Sequence, residues 1–124
     1  MENKRIMIVE DDLNTAEMYK IKFENNDFKV LVSNNWLDAL TKLVDFNPDI
    51  ILLDIMMPSM NWFETLSAIK ELTTTINAKI IICSNLSDKK DILKWFEIWA
   101  DDYLVKANVT PTEIFERVKK LLKI

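Results

Sequence analysis

The stretch Asp49-Ile50-Ile51-Leu52-Leu53-Asp54 decides the fold of this chain. A continuous run of aliphatic residues between two carboxylates is typical of a strand that is buried on both faces of a parallel sheet. Pro48 marks the turn that precedes the run. The stretch therefore predicts a central strand with the acidic side chain of Asp54 at its carboxyl end.

Similar short apolar runs alternate with amphipathic stretches along the rest of the chain. We predict further strands at residues 6–9, 28–33, 79–83 and 102–105, and helices at about 13–26, 36–46, 61–72, 87–99 and after Thr110. Strands that are separated by helical crossovers pair in parallel, and right-handed crossovers place helices on both faces of the sheet. The pattern predicts an α/β fold, a (βα)5 doubly wound five-stranded parallel sheet, in one domain over residues 1–124.

The helix ends carry their own signals. Asp12 is the predicted N-cap of the first helix, whose inner face holds Ala16, Tyr19 and Phe23. Ser87 is the predicted cap of the fourth helix. Thr110-Pro111-Thr112-Glu113 is a capping box with proline at the first helical position. The inner face of that last helix is predicted to hold Ile114, Val118, Leu121 and Leu122.

Composition excludes several classes of function. The chain has 124 residues, a formal net charge of −4 and no basic stripe, so direct nucleic-acid binding is not expected. It has no histidine, which excludes His-based metal sites, Ser-His-Asp triads and phosphohistidine carriers. Cys83 is the one cysteine and is expected to be a small core residue. Without a disulfide framework, signal peptide or apolar membrane span, a cytoplasmic location is expected.

Polar side chains follow four of the five predicted strands. The first strand ends in Glu10-Asp11-Asp12, the third in Asp54, the fourth in Ser84 and the fifth in Lys106. Ligands of open parallel sheets bind at this edge. Clustered carboxylates suit Mg²⁺, and a carboxylate can act as a nucleophile toward phosphorus. Lys106 and Ser84 would then contact the oxygens of a transferred phosphoryl group.

Each of these residues also has a structural interpretation. The acidic triplet can stabilise a helix N-terminus through the helix dipole, and Asp54 can be a turn or cap residue. Ser84 and Lys106 can be ordinary solvated residues. Their joint occurrence at four strand ends favours the phosphoryl site.

Over its whole length the chain resembles the receiver domain of two-component response regulators, in particular the stand-alone chemotaxis-regulator kind. The segments that carry the resemblance are Ile8-Val9-Glu10-Asp11-Asp12, Leu52-Leu53-Asp54-Ile55-Met56-Met57-Pro58, Ile82-Cys83-Ser84 and Ala100-Asp101-Asp102-Tyr103-Leu104-Val105-Lys106. The resemblance implies a flavodoxin-like sheet with strand order 2-1-3-4-5. It also implies that Asp54 is the phosphorylated aspartate.

The same resemblance implies the other site residues. Glu10 and Asp11 match the acidic pair that organises Mg²⁺ together with Asp54, and the backbone carbonyl of Met56 would complete the metal site. Ser84 matches the hydroxyl residue that meets the phosphoryl group, and Lys106 matches the lysine of the family.

The resemblance further implies a switch and its partners. Ser84 and Tyr103 would shift toward the phosphate and remodel the face formed by the fourth helix, fifth strand and fifth helix. The phosphoryl donor would be a histidine kinase or a phosphotransfer protein, and the output an unknown downstream protein target. The chain would be a monomer or a weak homodimer through that face. It is expected to be a signalling switch and not an enzyme, beyond self-catalysed phosphorylation and slow autodephosphorylation.

The chain departs from the family pattern at proline and glycine positions. Ala107 follows Lys106 where the family has a cis proline, so we expect a trans bond or a strained loop there. The chain contains no glycine, and residues other than glycine stand at frequent glycine positions of the family: Trp36, Trp62, Trp95, Trp99, Asp27 and Ser59. If the tryptophans are genuine, Trp99 should strain a helix end and Trp62 should crowd the phosphorylation pocket.

Two hypotheses explain the four tryptophans. Either the chain was engineered or selected to lack glycine, or its gene uses a code in which UGA specifies glycine and was read as tryptophan. UGA at all four codons would establish the second hypothesis, and UGG codons would count against it.

Other functions stay open. The chain can be a degenerate or engineered receiver that acts only as an interaction module. It can also be a Mg²⁺-dependent phosphatase with an aspartate nucleophile, although that class prefers an acid at the position of Met56. Flavin binding is a fold-level alternative without local support. No output segment follows Ile124, so both a stand-alone receiver and a part of a longer chain fit the sequence.

Overall fold

The computed structural model of the chain describes residues 3–54, 67, 71, 77–84 and 100–124. Its strands are β1 (Arg5–Val9), β2 (Lys29–Ser33), β3 (Ile50–Leu53), β4 (Lys79–Ser84) and β5 (Asp102–Val105). They form one parallel sheet in the order β2-β1-β3-β4-β5. The predicted parallel sheet and its strand order are confirmed.

Helices cover both faces of this sheet. The described helices are α1 (Leu13–Glu24), α2 (Trp36–Phe46) and the C-terminal helix (Pro111–Leu122), with a short 3₁₀ turn at Lys106–Asn108. The predicted helices at 61–72 and 87–99, and the predicted cap Ser87, lie outside the described residues except for Ser67 and Glu71, which are helical. No helix in the described ranges is long and apolar enough to cross a membrane.

Two hydrophobic clusters fill the two sides of the sheet, because successive side chains of a strand point to opposite faces. One cluster joins α2 to alternate strand residues: Met7, Val9, Ile51, Leu53, Ile80 and Ile82. The other cluster joins α1 and the C-terminal helix to the strand residues that point to the opposite face: Ile6, Ile8, Ile50, Leu52, Ile81 and Cys83. The central strand β3 is buried on both faces, as its apolar run predicted.

The helix caps follow the sequence signals closely. The side chain of Asp12 accepts from the backbone N–H groups of Asn14 and Thr15, as predicted for the N-cap of α1. Thr110 Oγ1 accepts from Glu113 N at 3.1 Å and donates to Glu113 Oε1 at 3.2 Å. The predicted inner faces are buried at Ala16, Tyr19, Phe23, Ile114 and Val118, whereas Leu121 and Leu122 are only half-buried.

Residues other than glycine occupy every left-handed position in the described part of the chain. Asp27 (φ 68°), Asn47 (φ 51°), Asn77 (φ 60°) and Lys123 (φ 58°) have positive φ. Asp27 ends α1 in a Schellman motif, in which Phe28 N donates to Phe23 O and Asp27 N to Glu24 O. Lys123 ends the C-terminal helix in the same way. Asp27 therefore has a backbone conformation that favours glycine, which agrees with the prediction that it stands at a frequent glycine position of the family.

The tryptophan positions are described only at Trp36. This residue is the first of α2, directly after the extended N-cap Asn35, and it is not among the residues with positive φ. Its backbone therefore does not require glycine. Trp62, Trp95, Trp99 and Ser59 lie outside the described residues.

The segment after β5 takes the expected trans form. No cis peptide bond occurs among the described residues, so the Lys106–Ala107 bond is trans. Lys106 opens the 3₁₀ turn that leads from β5 toward the C-terminal helix. Lys106 lies directly beyond the carboxyl end of β5 with alanine in place of proline at position 107.

Candidate functional site

Three ionisable side chains meet at the carboxyl edge of the sheet. Glu10, Asp54 and Lys106 directly follow β1, β3 and β5. The backbone holds the first two in place, because Glu10 N donates to Ser33 O at 3.0 Å and Asp54 N to Val9 O at 2.9 Å. Lys106 Nζ donates to Glu10 Oε1 and, at 2.9 Å, to Asp54 Oδ2. The structure thus brings together three of the predicted site residues.

Both carboxylates of this contact are buried, Glu10 with 2% of its surface exposed and Asp54 with 6%. The pKa of Glu10 is raised to about 8, because burial and the neighbouring Asp54 raise it by more than the hydrogen bond from Lys106 lowers it. Burial lowers the pKa of Lys106, but its hydrogen bonds to Glu10 and Asp54 outweigh burial and the net pKa is raised. Lys106 therefore stays cationic between the two carboxyl groups.

Asp11 adds a third carboxylate to the cluster. One oxygen each of Glu10, Asp11 and Asp54 lies within 4.8 Å of the others, and Asp11 is exposed at the mouth of the site. The second oxygen of Glu10, Oε2, is buried without a hydrogen-bond partner among the described residues. Such a set of oxygens fits a hard cation like Mg²⁺, which binds through a few carboxylates and keeps several waters. Met56, the predicted carbonyl ligand, lies outside the described residues.

Asp12 is separate from this cluster. Its carboxylate accepts from Thr15 N at 3.4 Å and from Asn14 N at 3.0 Å, and these hydrogen bonds lower its pKa. The structural interpretation of the acidic triplet therefore applies to Asp12, which caps α1. Glu10 and Asp11 form the acidic cluster with Asp54 at the carboxyl edge of the sheet.

Ser84 brings a buried hydroxyl to the same edge. It is the last residue of β4 and is fully buried. Asp54 follows the last residue of β3 and Ser84 is the last residue of the adjacent strand β4, so both lie at the carboxyl edge of the sheet. Ser84 Oγ has no hydrogen-bond partner in the described part of the chain. An unsatisfied buried hydroxyl costs about 1–3 kcal/mol, and a phosphoryl oxygen at this edge would satisfy it.

Tyr103 lies farther from the carboxylates. It pairs with Ile82 across β5 and β4, and its half-buried ring packs against the cluster on the α2 side of the sheet. Burial raises the pKa of its hydroxyl. Its switching role stays a prediction.

A polar pair lies beneath the site and was not assigned to it by sequence. Tyr19 Oη is 3.9 Å from Cys83 Sγ, and both residues are buried. A cavity of about 10 Å³ is lined by both residues together with Glu10, Asp54 and Lys106. Burial raises the pKa of Cys83 to about 11 and that of Tyr19 above its ordinary value. The sequence signal was the tyrosine itself, a hydroxyl on the inner face of α1 where an apolar residue would pack equally well.

Comparison with known proteins agrees with this geometry. The family model of the response regulator receiver domain matches residues 6–119. The DNA-binding response regulator MtrA of Mycolicibacterium paratuberculosis is 32% identical over 120 residues, which cover 97% of this chain and 52% of MtrA. The chain thus spans about half the length of the curated relatives that it matches.

Two solved structures illustrate the likeness. A CheY-like response regulator receiver domain protein from Methanospirillum hungatei has a TM-score of 0.86 and 26% identity, with 98% of this chain and 94% of that chain covered. The response regulator TrrA from Thermotoga maritima, solved in complex with Mg²⁺-BeF, has a TM-score of 0.80 and 32% identity, with 95% and 98% covered.

Proposed function

The chain belongs to the response regulator receiver domain family, and on that premise we propose that it accepts a phosphoryl group on Asp54. The observation that carries the proposal is the contact of Lys106 with both buried carboxylates, Glu10 and Asp54. We further propose that residues 1–124 form one receiver domain, with this site at the carboxyl edge of its sheet.

The proposed reaction uses the side chains of the site in distinct roles. A carboxylate oxygen of Asp54 attacks the phosphorus, a new O–P bond forms, and the bond from phosphorus to the donor's leaving group breaks. The leaving group is the imidazole nitrogen of a phosphohistidine or the carboxylate of a small acyl phosphate. The Lys106 ammonium, already 2.9 Å from Asp54, would offset charge on one phosphoryl oxygen, and the Ser84 hydroxyl would donate to another.

Glu10, Asp11 and Asp54 would hold Mg²⁺, together with the Met56 carbonyl that the family resemblance implies. The ion would supply positive charge that lets the phosphoryl group approach three carboxylates. Two observations support this part of the proposal: oxygens of the three carboxylates lie within 4.8 Å of one another, and Glu10 Oε2 is buried without a hydrogen-bond partner among the residues that the structure describes.

Family membership supports a proposal for the partners and for the switch. We propose a cytoplasmic location for the chain and a histidine kinase or phosphotransfer protein as its phosphoryl donor. We further propose a protein target that reads the face formed by the predicted fourth helix, β5 and the C-terminal helix. Ser84 and Tyr103 would couple phosphorylation to that face, through which the monomer would also form a weak homodimer. DNA binding is named for the relatives and is not proposed for these residues.

The test is intact-protein mass spectrometry after incubation with Mg²⁺ and acetyl phosphate. We expect one added phosphoryl group in the wild type and in Asp45→Ala, a control that removes an exposed carboxylate of α2. Asp54→Ala should gain none. A wild type that neither gains the group nor binds Mg²⁺ would instead support an interaction-only module. Continuous release of phosphate from many substrates would point to a phosphatase.

A further inference from the structure

A second cavity opens at the opposite edge of the sheet, where the strands begin. It has a volume of about 590 Å³, within the range of roughly 300–1,000 Å³ that small-molecule sites occupy. Its cationic lining comes from three parts of the chain: Lys4 before β1, Lys79 at the start of β4, and Arg117, Lys120 and Lys123 of the C-terminal helix. Positive charge is thus concentrated here in a chain of net charge −4.

Of the two carboxylates of the lining, Asp102 is paired with a cation, whereas Asp49 accepts from a backbone N–H and keeps its negative charge. Asp49 Oδ2 accepts from Arg5 N at 2.8 Å, and Asp102 Oδ2 accepts from Arg117 Nη1 at 2.6 Å. By contrast, Lys4, Lys79, Lys120 and Lys123 form no ion pair with any carboxylate in the described ranges. Four ammonium groups around one cavity repel each other, and an anion placed among them would relieve that repulsion.

The helix dipole explains only part of this arrangement. Cations near a helix C-terminus are favourable, which accounts for Lys120 and Lys123. It does not account for Lys4 and Lys79, which come from the starts of two strands. Independent segments therefore bring their charges to the same cavity.

We propose that this cavity binds a small polyphosphate, that is, a chain of two or more phosphoryl groups, either inorganic or carried by a nucleoside. Ammonium groups bind phosphate oxygens as point charges, and a chain of phosphates carries enough negative charge to pair with several such groups, which a single small anion does not. Leu121 and Leu122 form an apolar wall of the cavity, against which a nucleoside would pack.

The cavity is independent of the proposed phosphorylation site. The two lie at opposite ends of strands of four to six residues, which rise about 3.3 Å per residue. A ligand in the cavity therefore does not compete with a phosphoryl group on Asp54, and Asp54→Ala should bind it unchanged.

The test is isothermal titration of the full chain with inorganic triphosphate, ATP and adenosine in Mg²⁺-free buffer. The variant is Lys79→Gln/Lys120→Gln. Its matched control is Lys29→Gln/Lys42→Gln, which removes the same charge from exposed residues that do not line the cavity. All four lysines are exposed, so both variants should fold, and circular dichroism checks this.

We expect triphosphate and ATP to bind, with affinity reduced about tenfold or more in the cavity variant because two charged contacts are lost. The control variant Lys29→Gln/Lys42→Gln should change the binding affinity little. Equal affinities for ATP and triphosphate would indicate recognition of the phosphate chain alone, and tighter ATP binding would indicate a nucleoside carrier. The proposal fails if neither triphosphate nor ATP binds, if adenosine binds as tightly as ATP, or if both variants lose affinity equally.

Discussion

The Nζ atom of Lys106 lies 2.9 Å from Oδ2 of Asp54, although the two residues are 52 positions apart in the chain. The same ammonium also contacts Glu10, 96 positions away. β1 and β3 are neighbours, whereas β5 is reached across β4. The long lysine side chain therefore spans the intervening strand and ties three strand ends together.

Replacing Lys106 with glutamine should destabilise the metal-free protein. Glu10 and Asp54 would remain buried side by side without a cation, a loss that we expect to cost about 1–3 kcal/mol because the ammonium is itself partly exposed. Mg²⁺ should recover part of the loss, since binding to the native state alone stabilises it. Urea unfolding with and without Mg²⁺ measures both effects.

The matched control is Lys42→Gln. Lys42 pairs with Asp38 at 3.1 Å on the surface of α2, and exposed pairs of this spacing are worth about 0.3–0.5 kcal/mol. Equal losses in the two variants would show that the Lys106 contacts are no stronger than a surface ion pair.

Replacing Thr110 with alanine should weaken the C-terminal helix. The hydroxyl of Thr110 is the one that caps Glu113 N, and loss of such a cap costs about 0.5–2 kcal/mol. Thr112→Ala deletes the same atoms from an exposed residue within the first turn and should leave the free energy of unfolding nearly unchanged. Chemical denaturation compares the two, and a larger loss in Thr112→Ala would contradict the assignment of the cap.

The thiol of Cys83 should be unreactive in the native protein. Burial raises its pKa from 9.0 to about 11, so at pH 8 it is almost entirely protonated and shielded. A colorimetric thiol reagent should label it only as the protein unfolds, and in denaturant it should find one thiol per chain. Rapid labelling of the native protein would contradict this expectation.

The raised pKa of Cys83 also makes the stability of the folded protein depend on pH. The unfolded chain loses the thiol proton near pH 9 and the folded chain near pH 11. Unfolding therefore releases a proton between these values, and Cys83 lowers stability as pH rises through them. Cys83→Ala should show a shallower fall in melting temperature over this alkaline range than the wild type.

Replacing Asp27 with glycine should stabilise the protein. Asp27 holds φ at 68° in the Schellman motif of α1, a conformation that glycine adopts without a Cβ penalty, and we expect a gain of about 0.5 kcal/mol. Asn25→Gly is the control, because Asn25 has φ −67° and glycine there should lower stability. Thermal unfolding of both variants checks the sign, and a loss in Asp27→Gly would show that the aspartate side chain favours this turn.

Much of the fold was predictable because its determinants are local. The aliphatic run at 50–53 and the capping box at Thr110 act through neighbours in the chain, and both appear in the structure as predicted. The residues at the strand ends were also predictable, since parallel strands align their carboxyl ends at one edge. Glu10, Asp54, Ser84 and Lys106 all lie at that edge.

The tertiary structure decided which of those residues contact one another. The sequence already predicted Asp12 as the N-cap of α1, but the contact of Lys106 with both Glu10 and Asp54 depends on the order of the strands. Similarly, the Tyr19–Cys83 contact joins residues 64 positions apart, and the cationic cavity joins Lys4 to Lys123. Such contacts depend on strand order and on helix docking, which act over long separations. The sequence alone therefore determined the elements and the chemical groups at their ends, and the packing of distant segments determined which of those groups meet.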